Sequence, residues 1–175
     1  MDLWAEAKRL ARYLAGKRTE LERLELKDIV TAKAVLDIHR KKIGKEIVAV
    51  PLFSLRPIHL LDRENAAETA RQRAETLRAH RQELLRRGTL DCETLARLMP
   101  SVSWIKVVKE REGSYLAFEG NGRIAALQSV FQPEDGLLVE AEEYKFRNPK
   151  KILRRLNRVR RLNGLLPEAK RGPKE

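Results

Sequence analysis

Tyr115-Leu-Ala-Phe-Glu-Gly-Asn-Gly-Arg-Ile-Ala-Ala-Leu127 reads as a strand, Tyr115 to Phe118, that enters a Gly-Asn-Gly turn and then a helix from Arg123. Gly120 and Gly122 permit left-handed backbone angles and leave room for a ligand against the main chain. The N–H groups that open a helix lack partners inside it, and the helix dipole favours an anion there. With the Arg123 guanidinium beside them, these donors suit a phosphate, and Gly120, Asn121, Gly122 and Arg123 are its candidate ligands. Glu119, at the mouth of the turn, is a candidate catalytic carboxylate, able to take a proton or help hold Mg2+. The same spacing also serves a tight strand-to-helix turn that holds no ligand.

Working outward, Val102 to Lys109 and Ser114 to Phe118 form a hairpin around Glu112-Gly113. Leu90 to Leu98 is a short helix stopped by Pro100, and Arg63 to Arg87 is one long helix capped by Gly88. Ala70, Ala74, Leu77 and Leu84 make its apolar stripe, while its arginines alternate with glutamates as a solvated face. Ile47 to Leu55 is β-branched and apolar enough for a strand, with Pro51 on an edge or at its end. A helix is predicted from Asp28 to Lys42, ended by Gly44, with Ile29, Ala32, Leu36, His39 and Ile43 near one face. His39 reads as a helix-edge histidine. Leu3, Ala7, Leu10 and Leu14 repeat at helical spacing and suit a helix that docks on the domain or on a partner protein, a reading preferred to a membrane-surface helix, so no membrane partner is expected. Beyond the Gly-Asn-Gly turn, the helix reaches Phe131 and a last strand covers Leu137 to Glu142.

The 175 residues allow one ordinary domain, and 42% hydrophobic content supports a core of modest size. The net charge of +12 favours an anionic partner, nucleic acid or nucleotide, over a merely solvated surface. Most of it lies in the tail: from Lys145 onward, twelve basic residues face two acidic ones, a local charge of +10. Ile152, Leu156, Val159 and Leu162 anchor one face of a helix there. Lys150, Lys151, Arg154, Arg155, Arg158 and Arg161 are its candidate nucleic-acid-binding residues. A packed helix that simply exposes its basic side is the other reading. The single cysteine, Cys92, excludes an intrachain disulfide and a multi-thiolate zinc site. Without an apolar run long enough to span a membrane, the expected location is cytoplasmic.

The order of these elements, together with the box Glu119-Gly120-Asn121-Gly122-Arg123, resembles the ParB/sulfiredoxin superfamily. Strand with a Leu-x-Pro exit, long helix, short helix, hairpin, Gly-turn-Arg helix and final strand follow one another between Ile47 and Tyr144. The resemblance implies an α+β fold, a mixed sheet with flanking helices, spanning 46–146. Residues 1–45 would be an N-terminal helical extension and 147–175 a basic C-terminal helix and tail. It also implies a pocket for ATP or CTP, with Mg2+ as a possible companion and the box residues around the phosphates. Among the family's activities, sulfinic acid reduction does not fit, because Asn121 and Gly122 stand where sulfiredoxin carries Cys and His. Chromosome-partitioning proteins carry a second arginine where this chain has Gly122. Phe-Glu-Gly-Asn-Gly-Arg also looks like the Fic motif, but that motif's catalytic histidine has no counterpart and its final arginine falls at Ala126.

The resulting expectation is a nucleotide-binding, NTP-hydrolysing ParB-like protein acting on or near DNA, with ATPase or nuclease activity. Glu119 and Arg123 would be its catalytic residues. The alternative is a non-catalytic nucleic-acid-binding module that uses the basic tail. A metabolite kinase of the ParB-like serine-kinase type ranks lower, since the histidine of that branch's box is Asn121 here.

Overall fold

The structure, a computed structural model, describes residues 26–61, 64–101 and 103–166. The helix expected around Leu3 to Leu14, with its possible protein partner, and the end of the tail from Pro167 lie outside them. The elements run α1 (Leu26–Lys41), β1 (Lys42–Pro51), β2 (Leu55–Pro57), α2 (Glu64–Ala79), α3 (Arg81–Arg87) and β3 (Thr89–Leu90). There follow α4 (Cys92–Leu98), β4 (Lys106–Arg111), β5 (Ser114–Glu119), α5 (Asn121–Val130), β6 (Leu138–Phe146) and α6 (Pro149–Leu162). This is an α+β fold: a six-stranded mixed sheet flanked by helices.

The sheet order is β1-β6-β4-β5-β2, with β3 joining β6 at Leu138 and Val139. β4 and β5 are the expected antiparallel hairpin, turned at Gly113 (φ 66°). β2 runs parallel to β5, and β4 parallel to β6, so the chain must cross over between them. Alternation along the strands feeds two cores. Val107, Ala117, Val139 and Ala141 face a layer that includes Ala74 and Leu77 of α2, Leu95 of α4, and Ile124 and Leu127 of α5. Val108, Leu116, Phe118 and Tyr144 face Ala34 and Ile38 of α1 and Ile152, Leu156 and Val159 of α6.

The second core changes the expected domain plan. α1 and α6, which lie within the two expected extensions, form the layer that covers one sheet face, and β1 already begins at Lys42. α1 also turns a different side inward from the one its spacing suggests. Ala34 and Ile38 are buried, whereas Ile29 and Leu36 are more than half exposed. Apolar residues lie around most of this helix, so periodicity alone does not choose between Val30-Ala34-Ile38 and Ile29-Leu36. Gly44 does not stop the helix; it sits in β1 at an irregularity in the pairing with β6. Pro51 does end an edge strand, as its missing donor requires.

The long helix is broken at His80, where Arg81 turns to hold the Asp135 carboxylate with contacts of 2.9 and 3.0 Å and lies 5.8 Å from the Phe131 ring. β6 continues past Glu142 to Phe146 because its acidic residues are neutralised locally. Lys45 pairs with Glu142 at 2.5 Å, and Lys145 holds both Glu143 and Glu46 at 2.7 Å. On α6, Leu162 is exposed while the other three predicted anchors are buried.

Candidate functional site

β5 delivers Glu119 as its last residue, Gly120 caps α5 in the left-handed region (φ 88°), and Asn121 to Arg123 form the first helical turn. Gly120 is needed for packing as well as for its backbone angle, because an added Cβ would lie 2.9 Å from Ile105 Cγ1. At Gly122 the neighbour is different: an added Cβ would meet Arg73 Nη1 at 3.2 Å. Arg73 comes from the middle of α2, out of the run of residues read as a solvated face. Its Nη2 donates to the Pro100 carbonyl at 3.1 Å.

Arg123 does not project into open solvent; it is 4% exposed, and Nη2 donates to the Ser103 carbonyl. Its Nε is buried without a partner. Burial lowers its pKa from the ordinary value, and the nearby Arg73 charge adds to the effect; a guanidinium nevertheless stays protonated. Burial lowers the pKa of Arg73 as well. Among the described residues neither guanidinium has a carboxylate within ion-pair distance, so two positive charges converge at the start of α5 with only carbonyl partners. Asn121 is 5% exposed. Its Nδ2 donates to His59 Nε2 at 3.0 Å, and His59 Nδ1 lies 3.0 Å from the Leu60 carbonyl, a pattern that fits the Nδ1–H tautomer. Asn121 Oδ1 is buried and unpartnered.

Glu119 is held from two sides. His39 Nε2 lies 2.7 Å from Oε1, and Lys106 Nζ donates to Oε2 at 2.8 Å. Burial acts to raise its pKa, but hydrogen bonds from Lys106, His39 and Ser103, with the Lys106 charge, outweigh it and hold the carboxyl below its ordinary value. His39 stands edge-on to Phe118 and Tyr144, and its Nδ1 is 3.5 Å from the Tyr144 hydroxyl. Burial, then the charges of Glu142 and Glu119, push the Tyr144 pKa up to about 12. His39 and Lys106 take one acceptor position on each Glu119 oxygen, which leaves lone pairs on both for a water or a cation. Among the described residues no three His, Cys, Asp or Glu side chains group as a metal set.

Beside this cluster a cavity of about 640 Å³ opens between β1, β6 and the segment before β4, lined in part by Lys45, Ser103, Trp104, Lys106 and Tyr144. The box residues Gly120 to Arg123 do not line it; Ser103 and Lys106 connect the two places. Arg73, His39 and Lys106 are absent from the site read in the sequence. Distance along the chain hides His39, 80 residues from Glu119, and nothing in the alternation of Arg and Glu on α2 singles out Arg73. Lys106 stands opposite Glu119 in the predicted hairpin, so its cross-strand register was the signal that could have found it.

The tail residues divide. Lys150, Lys151, Arg154, Arg158 and Arg161 are exposed on α6, while Arg155 pairs with Asp37 of α1. Arg160, which is buried, lies 4.0 Å from Glu110. No helix among the described residues is long and apolar enough to cross a membrane. Compared with known proteins, the chain matches no family model, none of the curated proteins and no solved structure.

Proposed function

We propose that this chain is a nucleotide-binding protein of ParB/sulfiredoxin type that hydrolyses a nucleoside triphosphate on or near DNA. The observation that carries the reading is the convergence of Arg73 and Arg123, without carboxylate partners, on the first turn of α5. Phosphate oxygens would accept from the unpaired Asn121 and Gly122 amides and from both guanidiniums, with the dipole of the ten-residue α5 favouring their charge. Arg123 Nε, a buried donor with no acceptor, is the group such a ligand would satisfy.

Glu119, kept ionised by Lys106 and His39, would orient a water toward the terminal phosphorus. Attack forms a new P–O bond, the bond to the leaving diphosphate breaks, and the water proton passes to the Glu119–His39 pair. Glu119 is also the carboxylate that would help hold Mg2+ beside the phosphates, and no step is routed through the ion.

Titration calorimetry of ATP, CTP and ADP in Mg2+ buffer tests the reading on wild type, Arg73→Ala and Arg123→Ala. Because Arg123 is buried, circular dichroism accompanies its variant, and the part-exposed Arg73 gives the cleaner comparison. Saturable binding that Arg73→Ala weakens about tenfold, as loss of a charged hydrogen bond does, supports the site. Wild type that binds none of the three nucleotides removes it.

A second reading has its own observation. The exposed basic residues of α6 lie opposite its buried face, so the fold presents a positive surface even if nothing turns over. In that reading the chain is a non-catalytic nucleic-acid-binding module. Arg123→Ala separates the two: hydrolysis is lost while α6-dependent DNA binding survives.

A further inference from the structure

We infer that the cavity beside β1 and β6 is a subsite for a planar heteroaromatic ring, the nucleobase of the ligand whose phosphates lie at the start of α5; this rests on the phosphate reading above. Its volume of about 640 Å³ is that of a small-molecule cleft. Two of its walls are apolar side chains that folding leaves uncovered, Trp104 at 48% and Ile47 at 46% exposure. An indole face stacks on any nucleobase.

Polar groups surround that surface. Lys45 and Lys106 line the cavity, and each donates one hydrogen bond to a carboxylate, Glu142 and Glu119 respectively. An ammonium carries three donors, so both keep N–H groups for acceptor atoms on a ring edge. Glu142 also lines the cavity. Its negative charge opposes a second phosphate there and fits a neutral ring with an amino group. In this reading the phosphates therefore lie toward Arg73 and Arg123, and the ring toward Trp104.

The two places share a wall. Ser103 lines the cavity while its carbonyl holds Arg123, and Lys106 lines it while its ammonium holds Glu119. A ligand that is anionic at one end and aromatic at the other matches both sides of this short segment.

The test uses the full chain and three kinds of probe: tripolyphosphate, the nucleosides adenosine and cytidine, and the nucleotides ATP and CTP. Calorimetry compares wild type with Trp104→Ala and Trp104→Phe. Trp104→Ala is expected to weaken the nucleotide about fivefold or more. Trp104→Phe should recover most of the loss, and tripolyphosphate affinity should not change. In a Trp4→Phe background, where Trp104 is the one remaining indole, a nucleoside should quench its emission saturably. Nucleotide affinity indifferent to Trp104→Ala, with tripolyphosphate still bound, overturns the ring subsite and leaves the phosphate site standing. Nucleoside quenching without tripolyphosphate binding does the reverse, supporting the ring subsite and removing the phosphate site. Failure of all probes overturns both.

Discussion

Gly120 and Gly122 look equivalent in the sequence, and the physics around them separates their roles. At Gly120 a side chain would meet both a positive φ and the Ile105 backbone, with its Cβ 3.0 Å from Ile105 Cα. Gly120→Ala should therefore cost about 1–3 kcal/mol from backbone strain, more with the clash, and lower the urea midpoint. Gly122 has no such angle, and its close neighbour is the end of a flexible arginine. Gly122→Ala should leave the midpoint nearly unchanged yet weaken phosphate binding by displacing Arg73; equal effects of the two substitutions on stability would refute this division. Glu119 gives a pH prediction at the same scale. Its folded pKa lies below the ordinary 4.5, so the native state binds fewer protons than the unfolded chain there. Its stabilisation is present above pH 4.5 and is lost as pH falls through the folded value. Wild type should lose stability more steeply than Glu119→Gln below pH 4.5, measured by denaturant melts across that range.

At the scale of elements, α1 is the informative case, because its packing makes it part of the domain and its His39 part of the site. Ile38 is fully buried between the sheet and α6, whereas Leu36 is 63% exposed. Ile38→Ala should cost about 2–5 kcal/mol and Leu36→Ala no more than about 0.5 kcal/mol. The reverse order in chemical denaturation would restore the face that simple periodicity suggests. The hairpin, the Gly-Asn-Gly turn and the order of the main elements were legible because turn residues and alternation are local signals. Features set by tertiary packing were not. The inward side of α1 was ambiguous because apolar residues surround it, and the two-residue β3 exists only through its pairing with β6. The far half of β6 looked polar until its glutamates found lysines on β1 and on β6 itself. Arg73 and His39 join the site through tertiary packing of α2 and α1, which no spacing within either helix encodes.

For the whole molecule, the question is which of its many positive charges are free to meet another polyanion. α6 sorts its own. Ile152, Leu156 and Val159 face the core, Arg155 is tied to Asp37, and Arg160 lies buried near Glu110. Lys150, Lys151, Arg154, Arg158 and Arg161 remain exposed, and at 3.6 residues per turn they fall within an arc of about 100°, opposite the core. Such an arc contacts phosphates without reading bases. If each of these residues neutralises one phosphate, the logarithm of the duplex-DNA binding constant should fall against log salt with a slope of about −4 to −5. Replacing Lys151 and Arg158 by Gln should reduce that slope by about 2, with the same proportional loss on unrelated sequences. Arg155→Gln should leave the slope alone and act instead on stability, by releasing Asp37 and loosening α6 from α1. Fluorescence anisotropy of a labelled duplex between low and physiological salt measures all three. A wild-type slope shallower than about −1 would mean the arc is merely a solvated surface, and the DNA half of the proposed function would fall with it.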